Sequence, residues 1–150
     1  MSESLDDIDR ILVRELVADG RATLSELAAS TGLSVSAVQS RVRRLESRGV
    51  VAGYSARINP EAVGHLLSAF VAITPLDPSQ PDDAPGRLEH IEEIEACHSV
   101  AGEESYVLLV RVESARALED LLQRIRTTAN VQTRSTIILS TFYSNRQFIP

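Results

Sequence analysis

Residues 23–49 read TLSELAASTGLSVSAVQSRVRRLESRG, and this stretch decides the fold of the N-terminal part of the chain. Thr23 followed by Glu26 is a capping-box pattern, in which the threonine caps free helix N–H groups and the glutamate reaches back. Gly32 supplies a left-handed helix stop, and Ser34 caps a second helix. Two short helices joined by a turn that contains glycine are typical of a helix-turn-helix.

The second helix of this motif has one apolar stripe and one polar face. Val38, Val42 and Leu45 recur at i, i+4 and i+7 and predict the buried side. The opposite face carries serines, a glutamine and an arginine, so it is either solvated or in contact with a polar partner. The simplest alternative is an ordinary charged face with Arg43 paired to Glu46.

A polar face of this kind is able to enter the major groove of DNA and bind base edges. Gln39 is suited to adenine and Arg43 to guanine, because both side chains make paired hydrogen bonds to those bases. Arg44 and Arg48 lie to the side, near the DNA phosphates. Arg41 lies nearest the buried stripe and is expected to brace the domain by a salt bridge. The candidate DNA-binding residues are Ser34, Ser36, Ala37, Gln39, Ser40, Arg43, Arg44 and Arg48.

The flanking sequence completes a small domain. A first helix is expected over Asp6–Ala18, where apolar residues recur at helical spacing. Residues 50–58 are β-prone and predict a wing or a connecting strand, which Asn59-Pro60 breaks. The predicted division of the chain is a winged helix-turn-helix over residues 1–58, a linker over 59–65 and a second domain over 66–150.

The second domain predicts elements in the order β-α-β-β-α-β, the split-βαβ arrangement, so the fold class is α+β. Strands are expected over Leu66–Ile73, Cys97–Ala101, Tyr106–Val112 and Thr133–Tyr143, with one helix through Leu88, Ile91 and Ile94 and another capped by Ser114. Two helices cover only one face of such a sheet, yet its third strand is apolar on both faces. A second copy packed sheet to sheet is the economical cover and predicts a homodimer. The alternatives are cover by the N-terminal domain and a surface that stays exposed.

Charge and composition exclude several classes of protein. The net charge is −6, but residues 1–58 hold eight arginines and eight acidic residues, so the acidic excess lies beyond them. No apolar run approaches the ~18 residues of a membrane span, and the acidic N-terminus lacks the apolar core of a signal peptide. A single cysteine, Cys97, excludes a disulfide framework within the chain and suits a reducing cytoplasm.

No constellation of catalytic residues is present in the sequence, and we expect no enzyme. Cys97 and His98 are adjacent, and adjacent side chains of a strand point to opposite faces, so they cannot form a dyad. The three histidines show no metal-ligand spacing. In the turn Gly102–Tyr106, two carboxylates beside a glycine and a tyrosine are able to bind an ammonium group. An ordinary acidic hairpin turn is the alternative.

Two sets of motifs carry a family resemblance. The first is Leu5–Leu12, Leu33–Glu46 and Gly49–Tyr54, and the second is Glu95–Gly102, Tyr106–Leu109 and Thr133–Ser135. Together they resemble the Lrp/AsnC family, the feast/famine regulators of bacteria and archaea, and its actinobacterial members above all. The resemblance spans about Leu5 to Tyr143.

This resemblance implies a winged helix-turn-helix joined to an ACT-like (RAM) effector domain with a βαββαβ ferredoxin-like fold. It implies homodimers that often assemble into octameric rings and bind an amino-acid effector, with no other cofactor. The family's effector loop corresponds to Gly102, Glu103, Glu104, Ser105 and Tyr106, with Arg134, Ser135 and Thr136 as the opposite wall. Leucine-responsive members often have an acid where this chain has Ser105 and an aromatic residue where it has Glu104. Their ligand preference therefore does not transfer.

The expected function is sequence-specific transcription regulation by a cytoplasmic, nucleoid-associated protein that binds double-stranded DNA and has no membrane partner. The two recognition helices of a dimer are expected in successive major grooves, ~34–36 Å apart. One alternative is an amino-acid-binding regulatory subunit of an enzyme, which leaves the helix-turn-helix unexplained. The other is a non-specific nucleoid-packaging protein, which would show no preferred DNA site.

Overall fold

The computed structural model describes residues 4–79, 82–144 and 146. The chain divides into two compact units, with a boundary between Arg57 and Ile58. Unit 1 runs to Arg57 and also includes Tyr143 and the described residues after it, and unit 2 is Ile58–Phe142. Within the described ranges, no helix is long and apolar enough to cross a membrane.

The described part of unit 1 contains three helices, α1 (Asp7–Ala18), α2 (Leu24–Thr31) and α3 (Val35–Ser47). The predicted capping box is confirmed: the Glu26 N–H donates to Thr23 Oγ1 at 3.3 Å, and the Thr23 N–H donates to Glu26 Oε2 at 2.7 Å. Gly32 ends α2 with φ of 70°, a left-handed conformation in which glycine avoids the strain of a Cβ. The helix-turn-helix is therefore formed by the residues that predicted it.

The core of unit 1 lies where the three helices meet. Its buried side chains come from all of them: Leu12, Val13, Leu27, Ala28, Val38, Val42 and Leu45. The stripe predicted for α3 faces this core, since all three of its members are buried. This packing leaves the opposite face of α3 to solvent.

The segment after α3 differs from its prediction. Residues 50–58 form no strand and are mostly exposed, so the expected wing is absent from the single chain. β-prone side chains do not suffice for a strand, because its backbone N–H and C=O groups need a neighbouring strand. The expected linker over 59–65 belongs to unit 2 and is partly folded, since Glu61–Val63 forms a 3₁₀ turn that Gly64 ends with φ of 85°.

Unit 2 is a four-stranded antiparallel sheet with two helices. Its elements in chain order are β1 (Leu67–Pro75), α4 (Ala84–Leu88), β2 (Ile94–Ser99), β3 (Tyr106–Val112), α5 (Ala115–Ala129) and β4 (Val131–Ile138). The strands lie in the order β2-β3-β1-β4. The predicted order β-α-β-β-α-β is confirmed, and β3 has the predicted bounds.

Several predicted elements have other bounds: β1 and β2 begin and end one to three residues from their predicted ends, and two further elements differ more. The helix through Leu88, Ile91 and Ile94 ends at Leu88, and the chain then makes three-residue turns, in which the Ile91 N–H donates to the Leu88 carbonyl at 3.0 Å. A spacing of three apolar residues suits such turns as well as a helix. The last strand ends at Ile138 rather than Tyr143, because its neighbour β1 pairs with it only as far as Ser68.

The two faces of the sheet have different surroundings. Helices cover the face that carries Val71, Leu108 and Val110, which are fully buried. The other face, called the open face here, carries the apolar side chains Phe70, Ala72, Val107 and Leu109, none of which is fully buried. Phe70, near its centre, is 46% exposed. Unit 2 therefore has an apolar sheet face that its own helices leave uncovered.

Candidate DNA-binding and effector sites

A buried ion-pair cluster holds α3 against α1. Asp9 of α1 is 1% exposed, and its carboxylate accepts from Arg41 Nη1 at 2.8 Å and from Arg44 Nη2 at 2.8 Å. Arg41 Nη1 also lies 2.6 Å from Asp6 Oδ2, and this contact is the main reason that the pKa of Asp6 lies below its usual value. The brace predicted for Arg41 is present, and it fixes the position of the helix that carries the DNA-binding candidates.

The outward face of α3 is polar and accessible. Ser34, Ser36, Gln39, Ser40 and Arg43 are exposed. Ser34 is also the N-cap, since its hydroxyl accepts from the Ala37 N–H at 3.2 Å, and Ala37 itself is partly buried. Six predicted contact residues therefore lie on or beside one solvent-facing surface of α3.

Arg43 is the cation of this face that has no partner within the described residues. The alternative pairing with Glu46 does not form, because the Glu46 carboxylate accepts from the Tyr54 hydroxyl at 3.0 Å instead. Burial raises the pKa of Tyr54, and the Glu46 carboxylate adds to this effect. The Arg43 guanidinium is thus available for an external acceptor such as a guanine edge.

The two flanking arginines differ in environment. Arg44 is 46% exposed although one of its nitrogens pairs with Asp9, a partner that sequence analysis did not predict. Arg48 is the C-cap residue of α3 and is partly buried. Phosphate contact was predicted for both, and the exposed part of Arg44 leaves room for such a contact.

The predicted effector loop is the turn between β2 and β3, and the sheet holds it in place. The Ser105 N–H donates to the Ile73 carbonyl of β1 at 3.1 Å, and the Val100 N–H donates to the Ser105 carbonyl at 3.1 Å. Glu104 forms an ion pair with Arg134 of β4. Two groups predicted for opposite walls of the site are therefore in direct contact.

Not all of the predicted effector residues share this side of the sheet. Ser135 pairs with Val71, whose side chain faces the helices, so alternation places Ser135 on the opposite face from Arg134 and Thr136. Tyr106 lies in register with Ile73, on the helix-covered face. Burial raises the pKa of Tyr106, and a hydrogen bond with Asp82 adds to it; Asp82 was missed because the loop that carries it has no distinctive pattern.

Gly102 and Glu103 complete the turn at exposed positions. A Cβ added at Gly102 would lie 3.8 Å from Glu104 Oε2, an ordinary contact. The Cys97-His98 pair is on β2, where Cys97 lies opposite Leu108 and His98 opposite Val107. Successive pairs alternate between the faces, so the two side chains do not form a dyad.

Family models match both units of the chain. An AsnC-type helix-turn-helix domain matches residues 5–46, and an Lrp/AsnC ligand binding domain matches residues 68–148. Together these two matches cover most of the chain. The first contains the DNA-binding candidates except Arg48, and the second contains the effector candidates.

Relatives that match most or all of the chain agree with these family matches. The chain is 89% identical over 150 residues to the HTH-type transcriptional regulator LrpA of Mycobacterium tuberculosis, covering 100% of both chains. It is 40% identical over 123 residues to the leucine-responsive regulatory protein of Escherichia coli K12, covering 80% of this chain and 74% of the other. A feast or famine regulatory protein from M. tuberculosis, solved in complex with L-methionine, superposes with a TM-score of 0.95 at 90% identity, covering 98% of this chain and 100% of the other.

The fold and its two sites define a transcriptional regulator that has a DNA-binding helix-turn-helix and a separate ligand-binding domain. The chain belongs to the Lrp/AsnC family. Its relatives are regulators, and the chain is not an enzyme. The predicted family and class of function are confirmed.

Proposed function

We propose that this regulator binds a specific DNA site through the outward face of α3. The observation that supports this most strongly is the separation of its faces, with Val38, Val42 and Leu45 buried while Gln39 and Arg43 are exposed. Exposed amide and guanidinium groups on one helix face match the donor and acceptor pattern of base edges. Serines beside them supply further hydrogen bonds, and the flanking arginines contact phosphates.

The unit that binds DNA acts as a pair. Two α3 helices of a homodimer enter successive major grooves ~34–36 Å apart and bind a roughly palindromic site. The open face of unit 2 supports the dimer, because an exposed apolar sheet face is stabilised when a second copy covers it. Dimers associate further, up to the octamer that the family resemblance implies. Such an octamer provides a disc around which DNA bends.

The effector is an amino acid bound at the turn Gly102–Tyr106. The relative solved with L-methionine supports this chemistry. Glu104 and Arg134 offer one carboxylate and one guanidinium, the charges that match the ammonium and carboxylate groups of an amino acid. Because the two side chains pair with each other, an amino acid exchanges their single ion pair for two new ones. The amino acid changes the assembly only if it binds two assembly states with different affinities.

The two units divide these tasks. We assign DNA binding to the unit that ends at Arg57 and effector binding and assembly to Ile58–Phe142. With this function, we expect the protein to lie in the cytoplasm, associated with the nucleoid and without a membrane partner.

Selection of genomic fragments by the purified protein tests this function. It is carried out at ~150 mM salt, with and without a pool of amino acids, because DNA affinity depends strongly on salt. A recurring palindromic motif whose occupancy changes with the pool supports an effector-responsive regulator. Bound fragments without a motif favour nucleoid packaging, and no binding favours a regulatory subunit of an enzyme.

A further inference from the structure

Asp9 is a buried carboxylate that holds two arginines of the recognition helix. Its side chain is 2% exposed, and each of its oxygens lies 2.8 Å from a guanidinium nitrogen, Oδ1 from Arg41 and Oδ2 from Arg44. A buried charge without a partner is strongly unfavourable, so the carboxylate and the arginines keep one another in place. This contact connects α1 to the side of α3 that flanks its polar face.

The two arginines differ in their exposure and in the carboxylates that they contact. Arg41 is 28% exposed and uses its Nη1 for both Asp6 and Asp9. Arg44 is 46% exposed and uses only Nη2, which donates to both oxygens of Asp9 at 2.8 and 3.2 Å. Its Nε and Nη1 make no hydrogen bond with any residue in the described ranges. Arg44 is therefore anchored at one nitrogen and open to a further anion at two.

We propose that Asp9 is a positioning residue for the DNA backbone: it fixes the Arg44 guanidinium so that Nε and Nη1 bind a phosphate of the duplex. The inference rests on the proposed DNA-binding function and deepens it. A long side chain on the surface loses rotamer freedom when it binds, whereas an anchored one has lost it already in the free protein. A phosphate contact at a fixed place also sets the register in which Gln39 and Arg43 meet base edges.

The first test replaces the forked guanidinium of Arg44 by a single ammonium group. Arg44→Lys keeps the charge, but a single ammonium group lacks the separate nitrogens that hold Asp9 and a phosphate at once. The probe is a duplex of scrambled sequence, and the readout is the slope of log affinity against log salt between about 50 and 200 mM. We expect the slope to become shallower by about 0.9, the value for one lost phosphate contact. An unchanged slope in a folded variant overturns the proposal.

The second test removes the anchor and keeps the arginine. In Asp9→Asn we expect the affinity for a fragment selected by the wild-type protein to fall about tenfold, since one charge-assisted contact loses its geometry. The affinity for the scrambled duplex falls less, because no positive charge is lost and non-specific binding does not require a fixed register on the DNA. Equal losses on both duplexes assign Asp9 a purely structural role and overturn the proposal, as does no loss on either.

Asp6→Asn is the matched control. Asp6 contacts Arg41 but not Arg44, and asparagine keeps the N-cap of α1, so the ratio of specific to non-specific affinity stays at the wild-type value. A fall of this ratio equal to that of Asp9→Asn also overturns the proposal. Circular dichroism establishes whether each variant is folded. If Asp9→Asn is unfolded, the salt slope of Arg44→Lys decides whether the proposal holds. If the wild-type protein selects no fragment, the proposed function fails, while the salt slope on scrambled DNA still tests the role of Arg44.

Discussion

Glu104, in the turn before β3, forms an ion pair with Arg134 of β4, although β1 lies between these two strands in the sheet. Glu104 is 20% exposed and Arg134 is 71% exposed, so the carboxylate is the sheltered partner. The pair fixes the turn against the far strand and holds opposite charges at one end of the sheet. An amino acid that binds there meets groups that are already placed.

Glu104→Ala is therefore expected to weaken amino-acid binding. Loss of the carboxylate removes the proposed partner of the ligand ammonium group, and a charge-assisted contact corresponds to about tenfold in affinity or more. Titration calorimetry with L-methionine measures the effect. Glu119→Ala on α5 is the control, because Glu119 is exposed and lies outside the predicted effector residues. Unaltered binding by the Glu104 variant would remove this residue from the site.

Arg43→Ala is expected to lower the affinity for the selected DNA site and to relax its sequence preference, while the protein folds normally. Arg43 is exposed and makes no hydrogen bond or ion pair within the described residues, and a paired contact to guanine contributes about 1–3 kcal/mol of discrimination. Affinities for the site and for single-base variants of it, measured by fluorescence anisotropy, test this. Arg116→Ala on α5 removes the same charge from an exposed helix position of unit 2 and is expected to keep the preference. A preference retained without Arg43 would place the recognition face elsewhere.

Local signals in the sequence predicted most of the fold, and contacts between distant residues account for the rest. The capping box, the left-handed stop at Gly32 and the apolar stripe of α3 each act over a few residues, and the structure has all of them. The wing over 50–58 and the end of β4 depend on a neighbouring strand that local sequence does not specify. In the same way, the pairing of Asp9 with Arg44 joins residues 35 positions apart.

The same distinction between local sequence patterns and contacts of distant residues applies to the candidate sites. The exposed face of α3 follows from helical periodicity, so its members could be named from sequence alone. The turn Gly102–Tyr106 was predicted from its own carboxylates, whereas Arg134, Ser135 and Thr136 were taken from the family resemblance, which does not resolve the faces of a strand. Alternation in β4 then separates Ser135 from Arg134 and Thr136, and the fold brings Asp82 to Tyr106.

Gly32→Ala is expected to destabilise unit 1 by about 1 kcal/mol, because a Cβ strains the left-handed conformation that ends α2. Nothing lies within 4 Å of the added Cβ, so the effect comes from the backbone and not from a clash. Urea unfolding followed by circular dichroism measures it. Gly53→Ala is the matched control, since Gly53 also has open space but does not have a left-handed φ. An equal loss in both variants would contradict the explanation.

Glu93→Gln is expected to reduce stability at neutral pH and to have less effect in acid. The Arg124 guanidinium, 2.6 Å from Glu93 Oε1, holds the pKa of this carboxyl below its usual value of 4.5. A carboxyl whose pKa is lowered by folding stabilises the protein above its unfolded pKa and loses that contribution as the pH falls through the folded pKa. The difference in urea midpoint between wild type and variant is thus largest near neutral pH and shrinks below 4.5. Glu92→Gln, at an exposed neighbouring position, serves as control, and a difference independent of pH would exclude this cause.

Phe70→Arg is expected to convert the proposed dimer into monomers. Phe70 is 46% exposed on the open face, in register with Leu109 of β3 and Thr136 of β4, so a charge there would be buried without a partner when two sheets meet. The single chain tolerates the arginine, because this face is open to water in it. Light scattering after gel filtration, over a range of concentrations, measures the mass. Leu76→Arg is the matched control, since Leu76 is 60% exposed but follows the last residue of β1. A Phe70 variant that keeps the wild-type mass would show that the copies associate through another surface.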